Sequence, residues 1–341
     1  MTTNQKVLVT GATGFVGSYV LRLLVHRGYT VRALRRRNSP LDLVRDVAER
    51  VEWVEGDVTD PFAVEEALQG MTHVCHAAAL VSFRSSDERR MMRVNVEGTA
   101  NMVNFALEAG IQHFIHVSSV AALGRATDRP ELDESCPWAE GPHNTRYAVS
   151  KYLSEQEVWR AHAEGLPAVI VNPSMVLGSG FWHVGTGRFF HQIYRGLKLY
   201  PMGQNGVVDV RDVAQFIALL LERGIQGERY ILNAENIPFG NLFAQIADAL
   251  GVRRPFLRVT PLLAEVGWRV EWLKSQLLGT EPLLTRDSAR ASMGHYSYRN
   301  NKSLSIGGFA YRPLQLTIQD TAAQFLEASR DGFSPRVLSI D

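Results

Sequence analysis

A chain of 341 residues with 36 basic and 35 acidic side chains carries a formal charge of +1, so no strong field draws it to nucleic acid or to an anionic membrane. Its length suits one large α/β domain or two unequal ones with a sizeable core. Two cysteines, no apolar run approaching ~18 residues and no leader pattern before Lys6 read as a soluble protein of a reducing cytoplasm, with neither membrane nor nucleic acid as partner.

Lys6 to Thr10 (K-V-L-V-T) is a short apolar, β-branched run of the kind that makes a buried parallel strand. Gly11, Gly14 and Gly17 follow three apart, and Ser18 to Val25 carries apolar residues at helical spacing. Strand, glycine turn and helix present free backbone N–H groups to a phosphate, so the turn reads as a dinucleotide seat. Gly11 permits the sharp turn, Gly14 the approach of a pyrophosphate, and Gly17 the close packing of helix on strand. The spacing departs from G-x-G-x-x-G, and its weight comes from the flanking strand and helix.

Tyr29 to Leu34 reads as a second strand. A unit selecting NAD places a carboxylate roughly 20 residues past the glycines, for the ribose 2′-hydroxyl. Here stand Arg35, Arg36 and Arg37, whose guanidinium forks suit a 2′-phosphate. NADP(H) is therefore the expected cofactor, with NAD(H) the alternative. Val51 to Glu55 is a third strand, and Thr59-Asp60-Pro61 begins a helix.

Thr72 to Ala79 is a fourth strand, its small end leaving room for a ligand. His73 and His76, three apart on it, point to opposite faces and make no metal site. Arg93 to Ala109 is a long helix closed by Gly110. His113 to Ser118 is the fifth strand, running into Ser119, and Val169 to Asn172 the sixth, stopped by Pro173. This alternation specifies an α/β doubly wound parallel sheet.

Beyond Leu177 the pattern changes. Residues 178–206 are rich in glycine, aromatics (Phe181, Trp182, Phe189, Phe190, Tyr194, Tyr200) and basic side chains (Arg188, Arg195, Lys198), and read as a pocket wall. Val207 to Val210, Asp212 to Glu222 and Arg229 to Leu232 resume a strand, helix, strand rhythm. The rest is mostly helical, with loops at Pro255, Pro282 and Pro313, and Trp268 and Trp272 are expected on a packed helix face. The expected division is 1–177 with 207–233 for the dinucleotide, and 178–206 with 234–341 as a smaller, interleaved, mainly helical substrate domain.

Tyr147 and Lys151 stand four apart in R-Y-A-V-S-K, on one face of one helix. A neighbouring ammonium favours the phenolate, so the pair suits proton transfer. Ser118 and Ser119, at the carboxyl end of the fifth strand, are placed to hydrogen-bond the oxygen that Tyr147 protonates. Glycine turn, strand-end serine and Y-x-x-x-K together form a constellation.

With these residues assembled, the sequence resembles the extended short-chain dehydrogenases/reductases, the NAD(P)-dependent epimerase/dehydratase group, over about residues 5 to 330. The family's T-G-x-x-G-x-x-G is matched by Thr10, Gly11, Gly14 and Gly17, and its Y-x-x-x-K by Tyr147 and Lys151. The resemblance implies a Rossmann sheet, with Ser119, Tyr147 and Lys151 catalytic. It further implies cofactor contacts from Gly11, Thr13, Gly14, Phe15, Val16, Gly17, Arg35, Arg36, Tyr147 and Lys151. Asp57 and Val58 match the adenine-side turn, Ala77, Ala78 and Ala79 the ribose side, and Pro173 and Val176 the nicotinamide segment. Asn95 matches a helix position used either in a proton relay or structurally.

Within the group the likeness leans to dihydroflavonol-4-reductase-like and 3β-hydroxysteroid-dehydrogenase-like members, through the arginines, N-P-S-x-V-x-G (Asn172 to Gly178) and Leu283 to Ala291. This implies reduction of a ketone or aldehyde, or oxidation of the alcohol, on a fairly apolar cyclic or aromatic small molecule. The alternatives are a nucleotide-sugar epimerase/dehydratase with recycled NAD, for which Arg188, Arg195, Arg253 and Arg254 are candidate diphosphate ligands, and a non-catalytic dinucleotide sensor. The family's pairing through the helices of Asn95 and Tyr147 leaves a homodimer open.

Overall fold

The protein is represented by a computed structural model, which describes residues 5–124, 131–141, 144–278 and 285–340. Pro282 and Leu283, two of the positions singled out above, lie outside them. Strands β1 (Lys6–Thr10), β2 (Thr30–Arg35), β3 (Glu52–Glu55), β4 (His73–His76), β5 (His113–Val117) and β6 (Ala168–Pro173) alternate with helices α1 (Phe15–His26), α2 (Pro61–Leu68), α3 (Glu88–Met92), α4 (Gly98–Glu108) and α5 (Arg146–Ala163). Then come β7 (Met175–Leu177), α6 (Gly187–Tyr194), β8 (Leu199–Pro201), β9 (Gln204–Asp209), α7 (Val210–Arg223), β10 (Arg229–Leu232) and β11 (Glu235–Pro238). The chain continues through α8 (Phe239–Ala249), β12 (Leu257–Val259), α9 (Pro261–Leu278), α10 (Arg286–Met293), α11 (Asn301–Leu304) and α12 (Leu314–Ser329).

Among the described residues, seven strands form one sheet in the order β3-β2-β1-β4-β5-β6-β10, with every neighbouring pair parallel. Alternate β1 side chains explain the two helical layers. Val7 and Val9 enter a core shared with Tyr19, Leu24, Phe216 and Leu220 of α1 and α7. Leu8 enters the opposite core, with Leu68 of α2, Met102 of α4 and Val158 of α5. Both faces are thus covered, as an all-parallel sheet requires. The direction of winding reverses between β1 and β4, and the crevice beyond their carboxyl ends is where such sheets place ligands.

The second half adds a three-stranded sheet, β7-β9-β11, and a two-stranded pair, β8-β12. The run Val207 to Val210 therefore contributes to β9 of the smaller sheet, whereas β10 joins the large one beside β6. A third core gathers Phe190 of α6, Leu242 and Phe243 of α8, and Phe325 of α12 around Trp182.

Four expectations change on contact with the fold. β4 ends at His76, because Ala77 and Ala78 turn to bond Thr10 through their N–H groups. The helix expected from Arg93 begins at Glu88 and carries a π-helical stretch, Arg93–Glu97, between α3 and α4. Trp182 and Phe190 belong to the third core, not to a pocket wall. Trp272 is 55% exposed, with Val266 and Val270 also exposed on α9, and Trp268 is engaged locally, its indole N–H donating to Glu265 and Arg269 lying over its ring.

Candidate active site

The glycine turn closes the amino end of the crevice. Gly11 has φ +68°, and a Cβ there would lie 2.6 Å from the Ala77 carbonyl. A Cβ on Gly17 would lie 2.1 Å from the Gly11 oxygen, so only glycine lets α1 start this close to β1. A Cβ on Gly14 would meet only that same oxygen, at 3.2 Å. Helix α1 has no side-chain cap and no acidic residue in its first turn, which leaves its leading N–H groups and dipole available to an anion. This turn fits a dinucleotide's pyrophosphate. Thr13, Phe15 and Val16 line its outer side, partly exposed, and Phe15 packs where a Cβ on Gly180 would stand.

At the end of β2, Arg35 lies 5.8 Å over the Trp53 ring and donates to the Arg37 carbonyl. Arg36 is exposed, with no ion pair among the described residues. Asp57 accepts from the N–H and hydroxyl of Thr59, which fixes the turn in which Val58 packs beneath Gly98. Ala77 and Ala78 border the glycine turn and Ala79 is exposed. Pro173 is buried at the end of β6, and Val176 in β7 accepts through its carbonyl from the Thr186 hydroxyl.

Helix α5 delivers the proposed chemistry. Thr145 caps it, accepting from the Ala148 N–H at 3.1 Å, and Tyr147 and Lys151 follow on one face. The Tyr147 phenol is raised by burial, with a hydrogen bond from the Ser119 side chain pulling the other way. Phe83 meets its ring edge-on at 6.2 Å. Ser119 itself caps a short turn, Oγ accepting from the Ala121 N–H. The Lys151 ammonium, 2% exposed, donates to the Val117 carbonyl at 2.9 Å. Burial pushes it down to about 8, with Glu155 opposing. The acidifying contact on the phenol is thus Ser119, where the spacing alone suggested Lys151: a long amine one turn away has reached the β5 carbonyl.

Asn95 is engaged through both side-chain atoms. Its Oδ1 accepts from the Leu80 N–H, and its Nδ2 donates to the Leu80 carbonyl and the Ser150 hydroxyl. These bonds give it a structural role between the crevice wall and α5. His76 links Thr10 to Thr99 through its two ring nitrogens and is pushed down to about 3 by burial, hence neutral. Ser118 faces the Glu155 carboxylate. Arg254 pairs with Asp248 and Arg253 stacks on Phe256, so neither is held toward the crevice.

Two neighbours escaped the sequence reading. Glu155 repeats the four-residue spacing of Tyr147 and Lys151, a signal present but unused. Phe83 sits in a loop, where no periodicity marks it. Among the described residues no group of three or more His, Cys, Asp or Glu could hold a metal, and no helix is long and apolar enough to cross a membrane.

A parallel sheet with this turn and this helix defines a dinucleotide-binding enzyme. The chain matches the model of the NAD dependent epimerase/dehydratase family over residues 7–233 and belongs to that family. It is 32% identical over 328 residues, 93% of each chain, to a putative dihydroflavonol 4-reductase of Synechocystis. It is also 32% identical to cinnamoyl-CoA reductase 1 of Petunia hybrida, covering 67% of this chain and 72% of that one. The crystal structure of gox2253 superposes with a TM-score of 0.81 at 37% identity, over 96% of this chain and 99% of that one. The UDP-glucose 4-epimerase of Thermotoga maritima shares the fold at 19% identity, with a TM-score of 0.78 over 95% of this chain and all of that one. The protein is therefore an enzyme of NAD(P)-dependent oxidoreduction.

Proposed function

We propose that the enzyme interconverts a ketone or aldehyde and its alcohol on a fairly apolar cyclic or aromatic small molecule, with NADP(H) as the preferred cofactor. The observation that carries this reading is the meeting of Tyr147 with Ser119 at the end of β5, one helical turn from the buried Lys151 ammonium. The names of the relatives, reductases of flavonoid and cinnamoyl substrates, support the substrate class. The exposed Arg36 at the end of β2 supports the 2′-phosphate.

The glycine turn and the first turn of α1 would hold the pyrophosphate, with Arg35 and Arg36 on the adenosine side and Lys151 near the nicotinamide ribose. The bound nicotinamide supplies or accepts the hydride. Ser119 orients the substrate oxygen. Tyr147, whose burial keeps it protonated at neutral pH, gives that oxygen its proton, and the Ser119 side chain beside it favours the phenolate left behind.

The test is a panel of aromatic and alicyclic carbonyls and UDP-sugars, followed by NADPH and NADH absorbance, with Tyr147→Phe alongside. We expect NADPH consumption on a carbonyl, a loss of about 10²-fold or more in kcat in the variant, and nearly unchanged cofactor affinity. Turnover retained in Tyr147→Phe would remove the phenol from the reaction. Bound NAD released on denaturation, with no NADPH consumed, would favour the epimerase reading instead.

A further inference from the structure

Beneath the proposed catalytic pair lies a buried polar assembly that the reaction does not itself require. Glu155, fully buried on α5, accepts from Asn172 Nδ2 at 2.6 Å through Oε1. The same Nδ2 donates to the backbone carbonyl of Ser119 at 2.9 Å. Both protons of the Asn172 amide are therefore used, one on Ser119 and one on Glu155. From β10, Arg229 reaches the other carboxylate oxygen at 3.3 Å. Arg229 is itself anchored on the carbonyls of Glu134 and Cys136. One carboxylate thus joins α5, the β5–Ser119 turn, β6 and β10.

We propose that Glu155 is a positioning residue for this site: through Asn172 it locks the Ser119 backbone, and its buried charge keeps the Lys151 amine in the ammonium form. Two acceptors, the Glu155 carboxylate and the Ser119 carbonyl, together fix which end of the Asn172 amide faces them. A neutral amide at 155 would take the charge out of one of those bonds and would loosen the clamp.

The electrostatic half follows from what faces Lys151. Its own helix presents Glu155, with Tyr147 one turn before it, β4 presents His76, and β5 presents His116. Both imidazoles are held neutral by burial. Burial raises the Glu155 carboxyl, and its donors and Arg229 lower it. Four residues after Lys151 on the same helix, it is the carboxylate placed to act on a buried ammonium that water cannot stabilise. Glu155 is faced in turn by Ser118, Arg229, Asn172 and Lys151, whose donors and cations oppose the cost of burying the carboxylate.

This inference rests on the catalytic reading for its consequence but not for its measurement. Lys151 is titrated in the cofactor-free, full-length protein by lysine side-chain NMR, with Lys151→Met identifying the resonance. Glu155→Gln should move the midpoint down from about 8 by about one pH unit. The alkaline loss of NADPH affinity, followed by nucleotide fluorescence, should move down with it, whereas a merely structural lesion would weaken binding equally at every pH. A folded Glu155→Gln protein with an unmoved Lys151 midpoint overturns the proposal. Should that variant fail to fold, Glu155→Asp decides: a midpoint held near the wild-type value, with kcat reduced by the shortened reach to Asn172, supports it, and a midpoint displaced despite the retained charge overturns it. If the ammonium responds as expected but no nicotinamide nucleotide binds, it is the redox reading that fails.

Discussion

At the scale of single residues, the site stores an electrostatic cost in Lys151. Its amine ionises at an ordinary 10.5 in the unfolded chain and at about 8 in the fold. Between those values the unfolded chain binds more protons, so the folded state gains stability as pH rises through that window. Below about 8 the full cost is present, at most about 3 kcal/mol. Lys151→Met, similar in length and uncharged, should therefore unfold at higher urea than the wild type at neutral pH. That advantage should shrink as pH climbs from about 8 to 10.5. Denaturation curves across this range check it, and a pH-independent difference would contradict it. Tyr147, Lys151 and the glycines could be read from the sequence because each follows a short-range rule: one helical turn of spacing, or a turn that tolerates no Cβ. The bond from Lys151 to Val117 could not, since it depends on how α5 lies across β5.

At the scale of elements, the strands were legible because a sheet covered on both faces writes itself as short apolar runs, such as Val7 to Val9 and Phe114 to Val117. Their ends were less so. β4 stops early because β1 ends at Thr10, and the Ala78 N–H bonds the Thr10 hydroxyl where a ladder carbonyl would stand. The π-helical stretch at Arg93–Glu97 has no propensity signature, yet it contains Asn95, whose amide bridges the Leu80 backbone and Ser150 of α5. Leu80 directly follows the three alanines at the crevice, so that amide staples the crevice wall to the helix bearing Tyr147. Asn95→Ala would strip the part-buried Leu80 N–H and carbonyl of their partner, at about 1 kcal/mol or somewhat more each. The expected result is a urea midpoint lowered by the equivalent of about 2–3 kcal/mol, together with weaker nucleotide binding. An unchanged midpoint would show that water replaces the amide. The exposure of Trp272 has a different origin: helical spacing shows that two side chains share a face, not how far that face is covered.

At the scale of the whole molecule, distant parts of the chain meet at single polar groups. Asp209, buried at the start of α7, holds Arg211 and the Thr317 hydroxyl of α12, and Asp212 binds the backbone N–H of Arg312. Tyr19 makes the longest such bridge. Its hydroxyl donates to the Ser179 carbonyl and accepts from the Leu338 N–H, both at 2.8 Å, while Leu338 and Ile340 complete the core under α1 and α7. Burial raises this phenol far above its ordinary ionisation range, so the bridge carries no charge at any pH near neutrality. Tyr19→Phe preserves the ring and strands one buried N–H and one buried carbonyl, which costs about 1–3 kcal/mol. Because the hydroxyl joins α1, the loop after β7 and the final segment, the loss should lower one cooperative unfolding transition as a unit. The shift should be the same on either side of neutrality, since nothing at the site titrates there. Two separated transitions in Tyr19→Phe, seen by circular dichroism and tryptophan fluorescence together, would mean instead that the closing segment folds as an independent strap over the sheet.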